Sequence, residues 1–158
     1  MKTVVTLIAF FSWTVSINAQ TETQPMADID KAVKEIKSSR NTYQKIEKIN
    51  TSDGMRLVFL KDKELKLIVV KALEPNTEKD VEWYYVKGQL VYTETNWVDV
   101  KTKATVFHEK CYLNNGHLIA WVNSKNEHVD NFSAEFKKMD TDLVAYGEKI
   151  KADTTTNH

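Results

Sequence analysis

The spacing of apolar residues predicts a helix near each end of the chain. Over residues 26–49, apolar side chains recur at steps of three and four residues, as on one face of an amphipathic helix. A second stripe of this kind predicts a helix from Asn131 or Phe132 to Ile150, with Asp130 or Asn131 as its N-cap. Residues 20–25 before the first helix and 152–158 after the second are polar and are expected to be a flexible N-terminus and a disordered tail.

Between the helices the pattern changes to short runs of β-branched and aromatic residues separated by turn-like clusters. The predicted strands are residues 55–61, 65–72, 80–87, 89–96, 103–113 and 117–123. The links at 62–64, 87–88 and 114–116 are short enough for hairpins. The predicted fold class is α+β, with an N-terminal helix, an antiparallel meander of about six strands and a C-terminal helix packed on the sheet, in one domain over residues 26–151.

Two of the predicted hairpins share a sequence motif. WYYVKGQLV, residues 83–91, superposes without gaps on CYLNNGHLI, residues 111–119. A third copy is hinted at by Lys63-Glu64-Leu65. Gly88 and Gly116 supply the positive φ that a two-residue hairpin turn needs.

The motif also predicts which side chains face one another. Counting outward from the turns, the expected pairs are Tyr85 with Leu90, Trp83 with Tyr92, Leu113 with Leu118, and Cys111 with Ala120. Because strand side chains alternate, these pairs are expected to share one face of the sheet. The opposite face is also apolar, and a sheet that is apolar on both faces must be covered on both or must bind something.

This organisation resembles a class of small secreted proteins, common in the Bacteroidetes, whose strands carry repeated Tyr-Tyr-x-x-Gly-x-Leu hairpins. Most members of that class have no assigned function. The resemblance covers about residues 80–123 and rests on Tyr84, Tyr85, Gly88, Leu90, Tyr112, Gly116 and Leu118. It implies an antiparallel meander and an envelope location, and it carries over no catalytic residue.

The first nineteen residues have the parts of a secretory signal peptide. Lys2 forms the charged region, an apolar run extends from Val4 to about Val15, and small or polar residues lead to Ala19. The apolar run is shorter than the roughly 20 residues that a spanning helix needs. We therefore expect cleavage after Ala19 and a soluble, secreted or periplasmic protein without an integral membrane segment.

Composition narrows the range of partners. The 22 Lys and Arg residues balance the 22 Asp and Glu residues, which argues against nucleic acid or an anionic membrane surface as a partner. Cys111 is the single cysteine, so the chain cannot form an intramolecular disulfide, and this side chain is expected to be buried in the core. No hydrolase, nucleotide-binding or metal-binding motif is present, and no cofactor or metal ligand set is predicted.

Two functional hypotheses follow from the two apolar faces. The preferred one is a non-enzymatic exported binding module that contacts an envelope protein or peptide through an open aromatic face formed by Tyr84, Tyr112, Ile119 and Trp121. The alternative is a carrier or sensor of a small apolar ligand, held between sheet and helix in a pocket lined by Trp83, Tyr85, Tyr92, Phe136 and Met139.

Two other interpretations stay open. The helices could cover one face each, which would make both aromatic sets structural. An enzyme with a site that carries no known motif also stays open, because the absence of a motif is weak evidence against new chemistry.

We predict that a bacterial host that exports this chain will yield a mature protein that begins at Gln20, because the small residue Ala19 follows the apolar run. Intact-mass spectrometry of the protein from the periplasmic fraction measures this. A protein that stays in the cell at its full length would contradict the prediction.

Overall fold

In the part of the chain that the structure describes, seven antiparallel strands follow one another across a single sheet in chain order, with one helix before them and one after. This computed structural model describes residues 23–51 and 54–155, so the predicted signal peptide lies outside the described residues. The elements are α1 (Thr23–Ser39), a 3₁₀ turn (Arg40–Thr42), β1 (Gln44–Thr51), β2 (Gly54–Lys61), β3 (Glu64–Leu73), β4 (Thr77–Val86), β5 (Gln89–Asp99), β6 (Thr105–Asn114), β7 (His117–Val122) and α2 (Ala134–Thr155). The predicted α+β class, the meander and all six predicted strands are confirmed.

The predicted N-terminal helix, residues 26–49, is wrong in its second half. The helix ends at Ser39, and the residues that follow the 3₁₀ turn form the edge strand β1. Strand β1 pairs with β2 from Gln44, opposite Leu60, to Lys48, opposite Arg56. Strand pairing with the next segment of the chain therefore overrides the helical spacing of the apolar residues in 44–51. The helix also begins at Thr23, inside the expected flexible N-terminus.

Three hairpins of the meander are built alike. Their two-residue turns are Asp62-Lys63, Lys87-Gly88 and Asn115-Gly116, and both residues of each turn have positive φ, as in a type I′ turn. In each hairpin the pairing then skips one residue of the returning strand, namely Lys66, Val91 or Ile119. The β2–β3 hairpin, where the sequence hinted at a third copy of the motif, therefore has the same turn and the same bulge as the other two.

The skipped residue is a β-bulge, and it corrects the predicted register. Tyr85 faces Leu90 and Leu113 faces Leu118, as predicted. Beyond the bulge the predicted pairs are wrong, because one strand has advanced by a residue. The observed pairs there are Trp83 with Thr93, Tyr84 with Tyr92, Cys111 with Trp121, and Tyr112 with Ala120.

Helix α1 covers one face of the sheet, which we call the α1 face. Its apolar side chains Ile29, Val33 and Ile36 are buried together with three tyrosines that stand side by side on the central strands. Tyr92 lies between the other two tyrosines, with ring centroids 5.5 Å from Tyr84 and 5.0 Å from Tyr112 in edge-on geometry. The Tyr112 hydroxyl donates a 3.0 Å hydrogen bond to Asp30 of α1, which ties the helix to the sheet.

Helix α2 covers the other face, the α2 face. The three leucines that follow the hairpin turns, Leu65, Leu90 and Leu118, are buried in its core. The helix backbone comes close to the sheet at Gly147, whose carbonyl oxygen accepts a 3.1 Å hydrogen bond from the Tyr85 hydroxyl. Lys151 donates a 2.7 Å hydrogen bond to the carbonyl oxygen of Gly88, so the helix is also held at a hairpin turn.

The ends of α2 differ from their predicted positions. Ser133 is the N-terminal cap instead of Asp130 or Asn131, since its hydroxyl accepts a 3.1 Å hydrogen bond from the Phe136 amide. Phe132 precedes the helix and is 84% exposed. At the other end the helix continues to Thr155, four residues into the expected disordered tail, and residues 156–158 lie outside the described residues.

Two glycines give a direct test of the backbone geometry. At Gly54, where φ is +116°, an added Cβ would lie 2.3 Å from the carbonyl oxygen of Lys71, whereas at Gly88, where φ is +75°, it would meet nothing within 4 Å. We expect Gly54→Ala to lower the free energy of unfolding by roughly 2 to 5 kcal/mol and Gly88→Ala by about 1 kcal/mol. Chemical denaturation measures both losses. Equal losses would contradict the close approach of β3 to Gly54.

Candidate functional site

The four residues of the predicted binding surface do not form one open face. Tyr84 and Tyr112 are buried beneath α1, with exposed fractions of 0% and 6%. Ile119 is partly buried against the same core, whereas Trp121 packs on the α2 face. The expectation of an open surface is therefore wrong, because α1 covers the tyrosines and the bulge at Ile119 turns Trp121 to the other side.

The residues of the predicted apolar pocket are also divided between the faces. Trp83, Tyr85 and Phe136 are buried beneath α2, where Met139 packs against them, but Tyr92 belongs to the α1 face. Helix α2 fills the space over Trp83: the ring of Tyr146 lies 5.2 Å from it between centroids. These side chains act as core, as expected if each helix covers one face.

Both helices leave part of the sheet open. Near the hairpin turns β4, β5 and β6 are buried, but their far ends (residues 77–82, 94–99 and 105–110), which we call the distal half, are only partly buried or exposed. A strand of ten residues is about 33 Å long, and each helix crosses only one portion of that length. The distal half therefore presents two surfaces, one on each face of the same three strands.

On the α2 face the distal half forms an aromatic groove, whose main residues are Lys79, Val81, Trp97, Phe107, Glu109 and Tyr146. The Trp97 and Phe107 rings face each other on paired strands and stack with centroids 4.4 Å apart. The Lys79 ammonium lies over the Trp97 ring, 4.4 Å from its centroid. The groove encloses about 420 Å³ and opens to solvent.

Glu109 is an unusual residue in the wall of an aromatic groove, because its side chain carries a carboxyl group. It lies on β6 on the same face as Phe107, opposite Thr95. Burial raises the pKa of its carboxyl group above the ordinary value, and the nearby Trp121 indole works in the opposite direction. No lysine, arginine or histidine of the described ranges forms an ion pair with Glu109. Its charged form is therefore stabilised less than it would be in water.

On the α1 face the distal half forms a polar cleft of about 410 Å³. Its floor is Asp80, Glu82, Glu94, Asn96, Thr105 and His108, and Lys37 of α1 forms a wall. Most of the floor consists of two rows of side chains, and the members of each row are neighbours across paired strands. Glu82 is paired with Glu94 next to the tyrosine row, and Asp80, Asn96 and His108 follow as the next row outward.

Glu94 is the centre of the ion pairs in the cleft. Its carboxylate accepts hydrogen bonds from Lys37 at 2.5 Å and from His108 Nε2 at 2.8 Å. Burial by itself raises the pKa of Glu94, but the hydrogen bonds from these two partners outweigh it, so the net pKa is lowered. Glu94 is therefore ionised at neutral pH. An ionised carboxylate only accepts, so His108 Nε2 carries the hydrogen.

Sequence reasoning missed the residues of both surfaces. The predicted strand 89–96 ended one residue before Trp97, although alternation through Thr95 and Trp97 could have extended it. Glu94 and His108 are fourteen residues apart in sequence, and only the β5–β6 register brings them together. His108 and Glu109 lie on opposite faces of the sheet, because adjacent side chains of a strand alternate.

Within residues 23–51 and 54–155, no group of three or more His, Cys, Asp or Glu side chains is arranged to hold a metal ion. Neither helix of this part of the chain is long and apolar enough to cross a membrane. Cys111 is buried as predicted, and burial raises the pKa of its thiol to about 12, which keeps it protonated and unreactive.

We predict that Glu94→Gln lowers the free energy of unfolding at pH 7 by about 1 kcal/mol, because the negative charge that strengthens the hydrogen bonds from Lys37 and His108 is removed and the Gln amide can accept only one of them well. A carboxyl group whose folded pKa is lowered stabilises the fold above its ordinary pKa of 4.5 and loses this effect as the pH falls through the folded pKa. The difference between wild type and variant should therefore vanish in acid.

Denaturation from pH 7 to pH 2 measures this difference, with Glu47→Gln as the control. Glu47 pairs with Lys45 at 2.5 Å on the exposed edge strand, where such a pair contributes little. A Glu94→Gln variant as stable as wild type at pH 7 would contradict the role of Glu94.

Comparison with known proteins gives no match: none among protein-family models, curated proteins or solved structures.

Proposed function

We propose that this protein is an exported, non-enzymatic binding module that holds a protein or peptide partner of the envelope through an aromatic sheet face. The face in this proposal is the aromatic groove, which replaces the surface expected from the sequence. The observation that carries it is the stacked pair of Trp97 and Phe107, which is only partly buried on the part of the α2 face that the helix leaves open. Large partly exposed aromatic side chains are the residues that most often anchor protein partners.

The chemistry of the groove favours a partner with a basic side chain. Glu109 lies in the groove wall without a counter-ion among the described residues, since Lys79, the cation of this groove, pairs with Glu74 and lies over the Trp97 ring. A lysine or arginine of a partner would pair with Glu109 and pack its aliphatic stem on Phe107. The occupant we propose is therefore an apolar peptide segment that carries a basic residue.

The alternative, a carrier of a small apolar ligand, has less support. It needs space between sheet and helix where Trp83, Tyr85 and Phe136 are closely packed. The aromatic groove is open along one side, so a small apolar molecule would stay largely in contact with water there.

Selection of random displayed peptides on the purified protein tests the proposal. We expect the enriched sequences to carry a lysine or arginine flanked by apolar residues. For one such peptide, Glu109→Gln should weaken binding at least tenfold, which corresponds to about 1.4 kcal/mol. Wild-type binding should also weaken on acidification, because protonation of Glu109 removes the charge that pairs with the peptide.

The matched control is Glu47→Gln, which removes the same charge on the edge strand β1 and should leave binding unchanged. Phe107→Ala should weaken binding as well, with folding checked by thermal denaturation. Selected peptides without basic residues, or peptides that bind Glu109→Gln as tightly as wild type, would contradict the proposed occupant.

A further inference from the structure

The polar cleft is separate from the aromatic groove, although both use the same strands. Strand side chains alternate, so Asn96 and His108 point away from Thr95 and Glu109. The sheet itself separates the two surfaces. A ligand in one of them therefore makes no contact with the other.

Each carboxylate in the cleft already has a cation. Lys37 pairs with Glu94 at 2.5 Å, Arg40 with Glu82 at 3.3 Å, and Lys71 with Asp80 at 2.6 Å. A cationic ligand would have to compete with these side chains, and an anionic ligand would meet the carboxylates. The arrangement therefore favours a ligand without net charge.

The cleft nevertheless retains many hydrogen-bonding positions. An ionised carboxylate offers about four acceptor positions. Glu82 uses two of them, for Arg40 and the Tyr84 hydroxyl, and Glu94 uses two, for Lys37 and His108, so about two positions remain at each carboxylate. Asn96 offers both donor and acceptor atoms, and Thr105 adds a hydroxyl group. His108 Nε2 is directed to Glu94, which leaves Nδ1 as one more hydrogen-bonding position. Such a set matches a ligand that carries several hydroxyl groups, because each hydroxyl both donates and accepts.

We propose that this cleft binds a neutral, hydroxyl-rich ligand, namely a mono- or disaccharide unit. Hydroxyl groups of the sugar donate to the remaining acceptor positions of Glu82 and Glu94, and His108 Nδ1, Asn96 and Thr105 complete the contacts. A volume of about 410 Å³ falls in the range of small-molecule sites. Hydrogen bonds from hydroxyl groups to carboxylates are among the stronger kinds in proteins.

Titration of the purified protein with free neutral sugars tests this proposal by two-dimensional NMR. The probes are glucose, galactose, mannose, N-acetylglucosamine, lactose and cellobiose, each up to about 10 mM, where a ligand of millimolar affinity occupies most sites. We expect at least one sugar to shift the Asn96 and His108 signals. Spermidine and inorganic phosphate should bind at least tenfold more weakly than that sugar.

Two threonines provide a matched pair of variants. Thr105→Val removes a hydroxyl group from the cleft, and Thr95→Val makes the same change in the aromatic groove. We expect Thr105→Val and Asn96→Ala to weaken sugar binding at least fivefold and Thr95→Val to leave it unchanged. Thermal denaturation confirms that each variant is folded.

The absence of a shift with every sugar would overturn the proposal, as would tighter binding of spermidine or phosphate. Loss of sugar binding in Thr95→Val or Phe107→Ala would place the sugar in the aromatic groove and would overturn it too. Peptide binding is measured separately through Glu109→Gln, so failure of the cleft and failure of the groove give different results.

Discussion

The extra residue in the returning strand of each repeated hairpin determines which side chains reach which face of the sheet. Without the bulge at Val91, Tyr92 would lie opposite Trp83 on the α2 face. With it, Tyr92 joins Tyr84 and Tyr112 in a row beneath α1. Each face therefore acquires a large apolar surface near the turns, and each needs its own helix to exclude water.

The same leucine position serves all three hairpins. Leu65, Leu90 and Leu118 each lie just before the skipped residue, and all three are buried in the core beneath α2. The α2 helix meets this layer closely, since a Cβ added at Gly147 would lie 2.7 Å from the Leu90 side chain. Helix α2 is anchored to the turn end of the sheet and leaves the distal half of its own face uncovered, where the aromatic groove lies. On the opposite face, α1 likewise leaves the distal half open, and the polar cleft lies there.

The docking of α1 and the polar cleft depend on the same charges. Lys37 and Arg40, at the end of α1 and in the 3₁₀ turn, reach the sheet through Glu94 and Glu82. The ion pairs that hold the helix therefore also neutralise the floor of the cleft. By contrast, Glu109 on the opposite face has no such partner among the described residues, which is why the two surfaces suit different ligands.

The order of the elements could be derived from the sequence because its signals are local. Type I′ turns require positive φ, which Gly88 and Gly116 favour, and apolar periodicity marked α2 and six strands. These signals determined the fold class and the meander. Only the tertiary structure decided that residues 44–51 form a strand, because β1 is held by hydrogen bonds to β2. The bulges and the Glu94–His108 pair likewise depend on the pairing register of neighbouring strands, and the covered tyrosines depend on where α1 packs. Both are contacts between different elements, which the periodicity within one element does not encode.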